Sequence, residues 1–216
     1  MNYKMEDRIS ELTFSSLWRP ALALATFFIV AFGFIFPVAI WGLAQSLFPH
    51  QANGSLIRNA AGQVIGSELI AQGFSRPEYF HPRPSAAGSG YEGANSGGTN
   101  LGPTSNKLIN GIHGPKNRTG DFNSINDLAK QYRQENGLPA LEPLPADAVT
   151  RSASGLDPDI SFANARLQIA RVAAARHFHR QAVESIVREC SSTGALPERC
   201  INVFELNRAL DRISSR

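Results

Sequence analysis

Few residues in this sequence are of the kinds that usually carry catalysis or bind metals. Its 216 residues include only two cysteines, and of its five histidines only His177 and His179 lie close together. Two cysteines without clustered histidines make a poor zinc site. There is no Walker motif, and no set of serine, histidine and aspartate has a spacing that indicates nucleophilic catalysis. We therefore predict no catalytic, cofactor-binding or metal-binding residues in this chain.

Charge of either sign is also sparse. The formal net charge is +3, and the basic residues are scattered along the chain. A nucleic-acid-binding surface needs clustered basic residues, so composition argues against a nucleic-acid partner. Residues 20–57 contain no Asp, Glu, Lys or Arg.

That uncharged stretch predicts a transmembrane helix. Residues 21–44 (ALALATFFIVAFGFIFPVAIWGLA) are almost continuously apolar, and 24 residues form a helix of roughly 36 Å, long enough for a hydrocarbon core of about 30 Å. A cleaved signal peptide is the alternative, but its apolar region would be shorter and its N-terminal region would lack acidic residues. We favour a retained anchor.

The distribution of basic residues predicts the orientation of the anchor. Lys4, Arg8 and Arg19 precede the span, whereas Arg58 alone follows it within a comparable distance, and basic residues are enriched on the cytoplasmic side. We predict a cytoplasmic segment over residues 1–19, a transmembrane helix over residues 20–48 and a periplasmic domain over residues 49–216. The localisation would be the bacterial inner membrane.

The domain after the span is predicted to be of the α+β class, with a helical C-terminal half. We expect a hairpin first, with strands at residues 55–58 and 63–67. Helices are expected from the cap Ser124 to Gly137, from Phe162, after the cap Ser161, to about Arg176, and in two further apolar-periodic segments, of which the last begins at the cap Asn202. The first of these two further segments would bury Ala182, Val183, Ile186, Val187 and Cys190. The last would bury Val203, Leu206, Leu210 and Ile213. A strand is predicted at residues 147–152.

Between the hairpin and the first helix lies a glycine-rich loop. Gly88, Gly90 and Gly93 satisfy the spacing G-x-G-x-x-G of dinucleotide-binding loops. That fingerprint needs a strand before it and a helix after it. Residues 83–85 (RPS) precede it and residues 95–98 (NSGG) follow it, so neither element is expected. We predict an ordered irregular loop and no phosphate site.

Small residues in the span are candidates for helix packing. Pro37 is expected to kink the helix. Gly33, Ala39 and Gly42 would let a neighbouring helix approach closely, or they simply face lipid. With no ionisable residue between Arg19 and His50, the span cannot supply a charge relay.

The two cysteines, Cys190 and Cys200, are ten residues apart. In an oxidising compartment they would close a short disulfide loop. Two unbonded buried thiols are an equal alternative.

Six short blocks follow one another in a distinctive order after the span. They are residues 66–70 (GSELI), 79–85 (YFHPRPS), 96–104 (SGGTNLGPT), 152–161 (SASGLDPDIS), 171–176 (RVAAAR) and 202–211 (NVFELNRALD). In these blocks the chain resembles the C subunit of the Kdp-type potassium-transporting P-type ATPase. It departs from that family in its acidic N-terminus and in residues 111–123 and 190–200.

The resemblance implies a complex with three partners in the membrane: a potassium-conducting channel-like subunit, a P-type ATPase catalytic subunit and a small single-span subunit. It implies that this chain is a non-catalytic subunit, needed for assembly and for ATP use by the catalytic subunit. ATP and potassium would be handled by the partner subunits, and the outer domain would pack near the extracellular mouth of the channel-like subunit. The alternative function is an independent membrane-anchored periplasmic binding module.

The matched blocks also suggest which residues form a partner-contact or structural loop. They are Arg83, Pro84, Ser85, Gly97, Gly98, Asn100, Leu101, Gly102, Ser154, Gly155, Leu156 and Asp157.

Overall fold

The structure, a computed structural model, describes residues 14–114, 121–193 and 199–214. The acidic N-terminal stretch, and parts of the divergent segments 111–123 and 190–200, therefore lie outside the described residues. The chain divides into two units, Met1–Ser55 and Leu56–Arg216. Each unit is described by itself.

The first unit is built on a long apolar helix. It comprises α1 (Phe14–Val30), a π-helical segment (Ala31–Ile35), α2 (Phe36–Leu47) and the short α3 (Pro49–Ala52). Within it, Leu17–Leu47 is a candidate membrane span of 31 residues that contains an 18-residue window with a mean hydropathy of 2.5. A helix of that length is roughly 46 Å long, which exceeds the hydrocarbon thickness. The predicted N-terminal membrane helix is thus confirmed as a candidate by length and composition.

The helix changes its hydrogen-bonding pattern just before Pro37. The N–H of Phe36 donates to the carbonyl of Ala31, five residues earlier. Pro37 has no N–H with which to bond the carbonyl of Gly33. The π-helical segment therefore lies where proline interrupts the regular pattern.

The second unit begins with the predicted hairpin. Strands β1 (Leu56–Arg58) and β2 (Val64–Ser67) pair antiparallel, with Leu56 opposite Ser67. The turn is closed by the N–H of Gly62, which donates to the carbonyl of Asn59. The predicted strands are confirmed to within one residue.

An irregular stretch follows, as the glycine and proline content predicts. Residues 68–105 contain no helix or strand, and the short α4 (Asn106–Asn110) comes next. Helix α5 (Ile125–Asn136) begins at a capping box in which Ser124 and Asp127 each accept from the other's main-chain N–H, and it ends at Gly137 with φ of 62°. Both predicted ends of α5 are confirmed.

The predicted strand at residues 147–152 is wrong. The structure has a short helix there, α6 (Ala146–Val149). Pro145 precedes it with a φ of −64° that suits a helix start, and the hydroxyl of Thr150 donates to the carbonyl of Ala146 at 2.7 Å. Val149 and Thr150 are β-branched and favour strands, but local hydrogen bonding outweighs strand propensity here.

The helical half (residues 159–214) combines helices with a small sheet. Its elements are β3 (Asp159–Ser161), α7 (Phe162–Arg176), α8 (Arg180–Glu189), β4 (Ser192–Thr193), β5 (Arg199–Asn202) and α9 (Val203–Ser214). The antiparallel sheet has the order β3-β5-β4, with Ile160 opposite Ile201. This sheet was not predicted, because strands of two to four residues are too short to show alternation.

The caps predicted for these helices are confirmed. The hydroxyl of Ser161 accepts the N–H of Asn164 (3.1 Å), and the side chain of Asn202 accepts the N–H of Glu205 (3.1 Å). Helix α7 ends at His177, which has a φ of 55°. His177 and His179 therefore lie in the junction between α7 and α8, where His179 is the N-cap of α8.

Apolar residues from α7, α8, α9 and the sheet form the main core. Its fully buried members include Ile160, Ile169, Val172, Val183, Val187, Ile201, Leu206, Leu210 and Phe80 of the irregular stretch. Ile213 was predicted to be buried but is 48% exposed, because the last turn of α9 extends past this core. Ala182 is also exposed, whereas Val183, Ile186 and Val187 are buried as predicted.

Candidate functional site

Two segments that are distant in sequence meet through main-chain contacts. We call residues 74–104 the glycine-rich segment and residues 150–158 the facing loop. The N–H of Gly97 donates to the carbonyl of Ser154 (2.8 Å), and the hydroxyl of Ser85 donates to the carbonyl of Gly155 (2.6 Å). These four residues were singled out from three separate sequence blocks, and the structure brings them onto one surface.

An ion pair fastens the same two segments. Nη1 of Arg83 donates to Oδ2 of Asp157 at 2.7 Å, and the two side chains are 25% and 33% exposed. A main-chain hydrogen bond lies beside this ion pair: the N–H of Ser152 donates to the carbonyl of Pro84 at 3.2 Å. A well-aligned, partly buried pair of this kind contributes more to stability than an exposed one.

Two glycines permit the close approach. A Cβ added to Gly98 would lie 2.6 Å from the carbonyl oxygen of Ala153. Gly155 has a φ of 70°, and a Cβ there would lie 2.6 Å from the carbonyl oxygen of Gly97. Gly98 and Gly155 are therefore required by main-chain packing.

Arg83 lines two cavities, and Asp157 lines the first of them. The first has a volume of about 820 Å³ and the second about 540 Å³. The first is lined mainly by Asp147, Asp157, Asp159, Ser161, Phe162 and Arg199, and the second by Arg83, residues 98–102, and residues 151–153.

The carboxylates of the first cavity already serve the fold. Asp147 accepts the N–H of Ser161 (2.7 Å), its hydroxyl (2.9 Å) and the side-chain amide of Asn164 (3.0 Å). Burial, and secondarily the charge of Asp157, raises the pKa of Asp159. Within the described ranges, no three His, Cys, Asp or Glu side chains are grouped so that they could hold a metal ion.

The second cavity presents a different chemistry. Arg151 lies on its edge with the guanidinium stacked on Phe122 at 4.5 Å and donating to the carbonyl of Asn123 at 3.0 Å, and burial lowers the Arg151 pKa. Asn100, in a left-handed conformation with φ of 52°, and Gly102 are exposed on the rim. This rim of exposed loop and guanidinium groups suits contact with a protein surface better than enclosure of a small ligand.

The inner side of the glycine-rich segment is held by two buried amides. The side chain of Gln168 accepts the N–H of His81 (2.8 Å) and donates to its carbonyl (3.1 Å). Asn207 does the same for Phe80, at 2.8 Å and 3.0 Å. Both amides are 1% exposed. Each therefore replaces the main-chain partner that an irregular segment lacks.

Two arginines of α7 complete this attachment. Arg171 donates to the carbonyls of Pro77 (2.6 Å) and Tyr79 (2.8 Å), and Arg176 donates to the carbonyl of Glu78 (2.6 Å). Sequence reasoning gave no role to these arginines or to the two amides. A usable signal existed, because Asn164 and Gln168 are spaced i, i+4 beside the apolar stripe of α7, and a buried polar stripe needs partners.

Two side chains of the glycine-rich segment, Tyr91 and His81, lie on the side that faces α5. The hydroxyl of Tyr91 donates to the carbonyl of Arg83 at 2.8 Å. Burial, with a smaller effect of the Glu135 charge, raises the pKa of Tyr91 to about 12, so it remains a donor. Nδ1 of His81 lies 3.6 Å from the Glu135 carboxylate, and the adjacent imidazole lowers the pKa of Glu135.

The remaining predicted residues lie apart from this surface. Leu156 is 7% exposed, and its carbonyl accepts the N–H of Ala71, so its side chain belongs to the interior. Cys190 and Cys200 are half-buried thiols that are not bonded to each other, and burial raises the pKa of Cys190. Cys200 also lines the first cavity.

The four predicted helix-packing residues lie in the first unit. Gly33 is in the π-helical segment, and Pro37 is in the first turn of α2. A Cβ at Gly42 would meet nothing within 4 Å, and Ala39 is exposed. Among the described residues of the first unit, nothing covers the surface at Ala39 and Gly42.

Comparison with known proteins gives consistent matches over nearly the whole chain. The family model described as KdpC, "K+-transporting ATPase, c chain", matches residues 18–212. The potassium-transporting ATPase KdpC subunit of Mycobacterium tuberculosis (strain H37Rv) is 45% identical over 197 residues, which is 90% of this chain and 97% of the relative. The protein of the same name from Caulobacter vibrioides (strain NA1000) is 46% identical over 196 residues, covering 89% and 91% of the two chains.

Proposed function

The chain belongs to the KdpC family, the c chain of K+-transporting ATPases, and from that membership we propose that it is a non-catalytic subunit needed for assembly of a potassium import complex. It is a subunit of a K+-transporting ATPase, and its candidate span fits a single-pass membrane protein. The observation that carries the proposal is the family match over residues 18–212. All six blocks that suggested the family lie within it.

We further propose that the outer surface of the second unit contacts the channel-like subunit near its extracellular mouth. Support comes from the way the glycine-rich segment is built. Its inner side is bound by Gln168 and Asn207, while Asn100 and Gly102 face outward. A loop held on one side and exposed on the other can present a fixed main-chain surface to a partner at little entropic cost.

The non-catalytic role is supported by the commitments of the polar side chains. Asp147 caps α7, Asp157 pairs with Arg83, and Gln168 binds the main chain of His81. We propose that ATP and potassium are handled by the partner subunits, and that any effect on ATP use passes through them. Photolabelling of the assembled complex with an azido-ATP analogue tests this, because saturable labelling of this chain would contradict it.

The decisive experiment is copurification of the tagged full chain from membranes, with its partners identified by mass spectrometry. We expect a P-type ATPase catalytic subunit, a channel-like subunit and a small single-span subunit. Replacing residues 21–44 with a generic leucine-rich span should abolish this copurification. An independent anchored module would tolerate that replacement, so retained function with no partners would favour the alternative.

The orientation is proposed from the basic residues that precede the span, with the second unit in the periplasm. Lys130→Cys, in a background with both native cysteines replaced by serine, places a thiol at an exposed position of α5. A membrane-impermeant maleimide should label it in intact cells whose outer membrane has been permeabilised. Labelling only after the inner membrane is broken would reverse the orientation.

A further inference from the structure

Four exposed arginines converge on one side of the helical half. They come from three elements: Arg166 from α7, Arg180 and Arg188 from α8, and Arg199 from β5. We call this feature the arginine groove. It is distinct from the surface formed by the glycine-rich segment and the facing loop.

Two adjoining cavities shape the groove. The smaller, of about 290 Å³, is lined by Phe162, Arg166, Glu184, Arg188 and Arg199. The larger, of about 490 Å³, is lined by Glu142, Pro143, Leu144, Pro145, Ala163, Arg166, Leu167 and Arg180. Arg166 belongs to both, so an apolar floor of proline and leucine side chains continues into a basic pocket.

Among the described residues, the groove carries more positive charge than its carboxylates neutralise. Nη2 of Arg188 lies 2.7 Å from Oε1 of Glu184. In the described part of the chain, no carboxylate lies within 4.0 Å of the guanidinium groups of Arg166, Arg180 or Arg199. The hydrogen bond and charge of Arg188, with smaller effects of Arg166 and Arg180, lower the pKa of Glu184. Arg166, Arg180 and Arg188 therefore all act on the Glu184 carboxylate.

We propose that the arginine groove binds an acidic, partly apolar segment of a neighbouring subunit. The inference rests on the proposed function, because it assigns the ligand to the same complex. Guanidinium groups bind carboxylates in paired geometry, and Glu184 shows that one carboxylate already fits among them. The apolar floor explains why the occupant needs apolar side chains as well as acidic ones.

The groove geometry limits the sequence of the occupant. Arg180 and Arg188 are eight residues apart on one helix, which separates them by roughly 12 Å. An extended segment rises about 3.3 Å per residue, so carboxylates about four residues apart would face both. A pocket of side-chain size fits such a segment better than the broad, flat basic surface with which proteins bind anionic lipid.

Site-specific crosslinking in the assembled complex identifies the occupant. Ala163 is exposed and lines the larger cavity, so a benzoylphenylalanine introduced there reaches whatever lies in the groove. We expect a crosslink to a subunit segment with carboxylates about four residues apart. A crosslink to lipid, a crosslink to a segment without acidic residues, or the absence of any crosslink would overturn the proposal. The same probe at Lys130 is the control.

Charge reversal tests the electrostatic basis. The double variant Arg166→Glu and Arg188→Glu should reduce copurification of the crosslinked subunit at least tenfold, whereas the control Lys130→Glu, also at an exposed position, should not. Arginines introduced at the two mapped acidic positions should restore binding, which a purely structural defect would not allow. Unchanged copurification of the double variant would refute binding at the arginine groove while leaving the proposed function intact. Failure of the wild-type chain to copurify would instead refute the proposed function.

Discussion

The glycine-rich segment and the helical half are both ordered, but different interactions hold them. In the helical half, Val183, Leu206 and Leu210 are fully buried, and the helices satisfy their own main-chain groups. In the glycine-rich segment the large buried side chain is Phe80, and the main chain is bound by side chains of α7 and α9. Irregular structure of this kind depends on its helical neighbours, since they supply the partners that it lacks.

The largest predicted effect comes from the apolar core. Leu210→Ala removes a side chain with 0% exposure, so we expect a loss of about 3 to 4 kcal/mol in the free energy of unfolding. Because α9 also carries Asn207, the glycine-rich segment should lose protection together with the helices. Hydrogen exchange of the full chain in detergent micelles measures both regions at once.

The control for that variant lies on the same helix. Ile213 is 48% exposed, so Ile213→Ala should change the free energy of unfolding by well under 1 kcal/mol. If Leu210→Ala exposed the helices to exchange but left the glycine-rich segment protected, the dependence of one region on the other would be disproved.

The second variant is expected to destabilise the glycine-rich segment more than the helices. Gln168→Met keeps the length of a fully buried side chain but removes both hydrogen bonds to the main chain of His81. Leaving a buried N–H and carbonyl without partners costs about 2 to 4 kcal/mol in total. Exchange should accelerate most around residues 79–82. Gln131→Met, at an exposed amide of α5, should have no such effect, and equal acceleration in both variants would count against the amide's role.

The same contrast explains what sequence could predict. Apolar periodicity and caps predicted the helices and their ends, because Ser124, Ser161 and Asn202 act within a few residues of their own positions. Composition predicted the membrane helix for a similar reason, since a span is defined by its own length and apolarity. Local physics was sufficient in these places.

Interactions across long sequence distances could not be predicted in this way. Phe80 and Asn207 are 127 residues apart, and β3 and β5 pair through strands of three and four residues. The resemblance selected Arg83 and Gly97 in one segment and Gly155 in the other without showing that the two segments meet. The exposed arginines of the groove fall on two helices and a strand, so no single window of sequence displays them.

The third prediction concerns the contact between the glycine-rich segment and the facing loop. Gly98→Ala places a methyl group 2.6 Å from the carbonyl oxygen of Ala153. This oxygen belongs to the main chain, so it cannot rotate aside as the end of a side chain can. We expect a loss of about 1 to 2 kcal/mol and reduced protection of residues 96–98. Gly102→Ala is the matched control, since its Cβ would meet nothing within 4 Å. Similar thermal stability of the two variants would show that the contact yields easily.

The smallest effect is predicted for the contact between His81 and Glu135. Titration of Glu135 tests whether the glycine-rich segment is electrostatically coupled to α5. The imidazole of His81, 3.6 Å away, lowers the pKa of Glu135, and a smaller contribution comes from the hydrogen bond of Gln131. Because the folded-state pKa is lowered, this pair contributes stability above the ordinary glutamate pKa of about 4.3, and the contribution is lost as pH falls through the folded pKa. The Glu135 side chain is 36% exposed, so solvent screening should keep the contribution below about 1 kcal/mol.

Carboxyl-carbon NMR should therefore show the Glu135 pKa rising towards its ordinary value in His81→Leu and rising less in Gln131→Met. Equal shifts in the two variants would mean that the glycine-rich segment is not electrostatically coupled to α5, leaving the buried amides and arginines of α7 and α9 as its polar attachment to the helices.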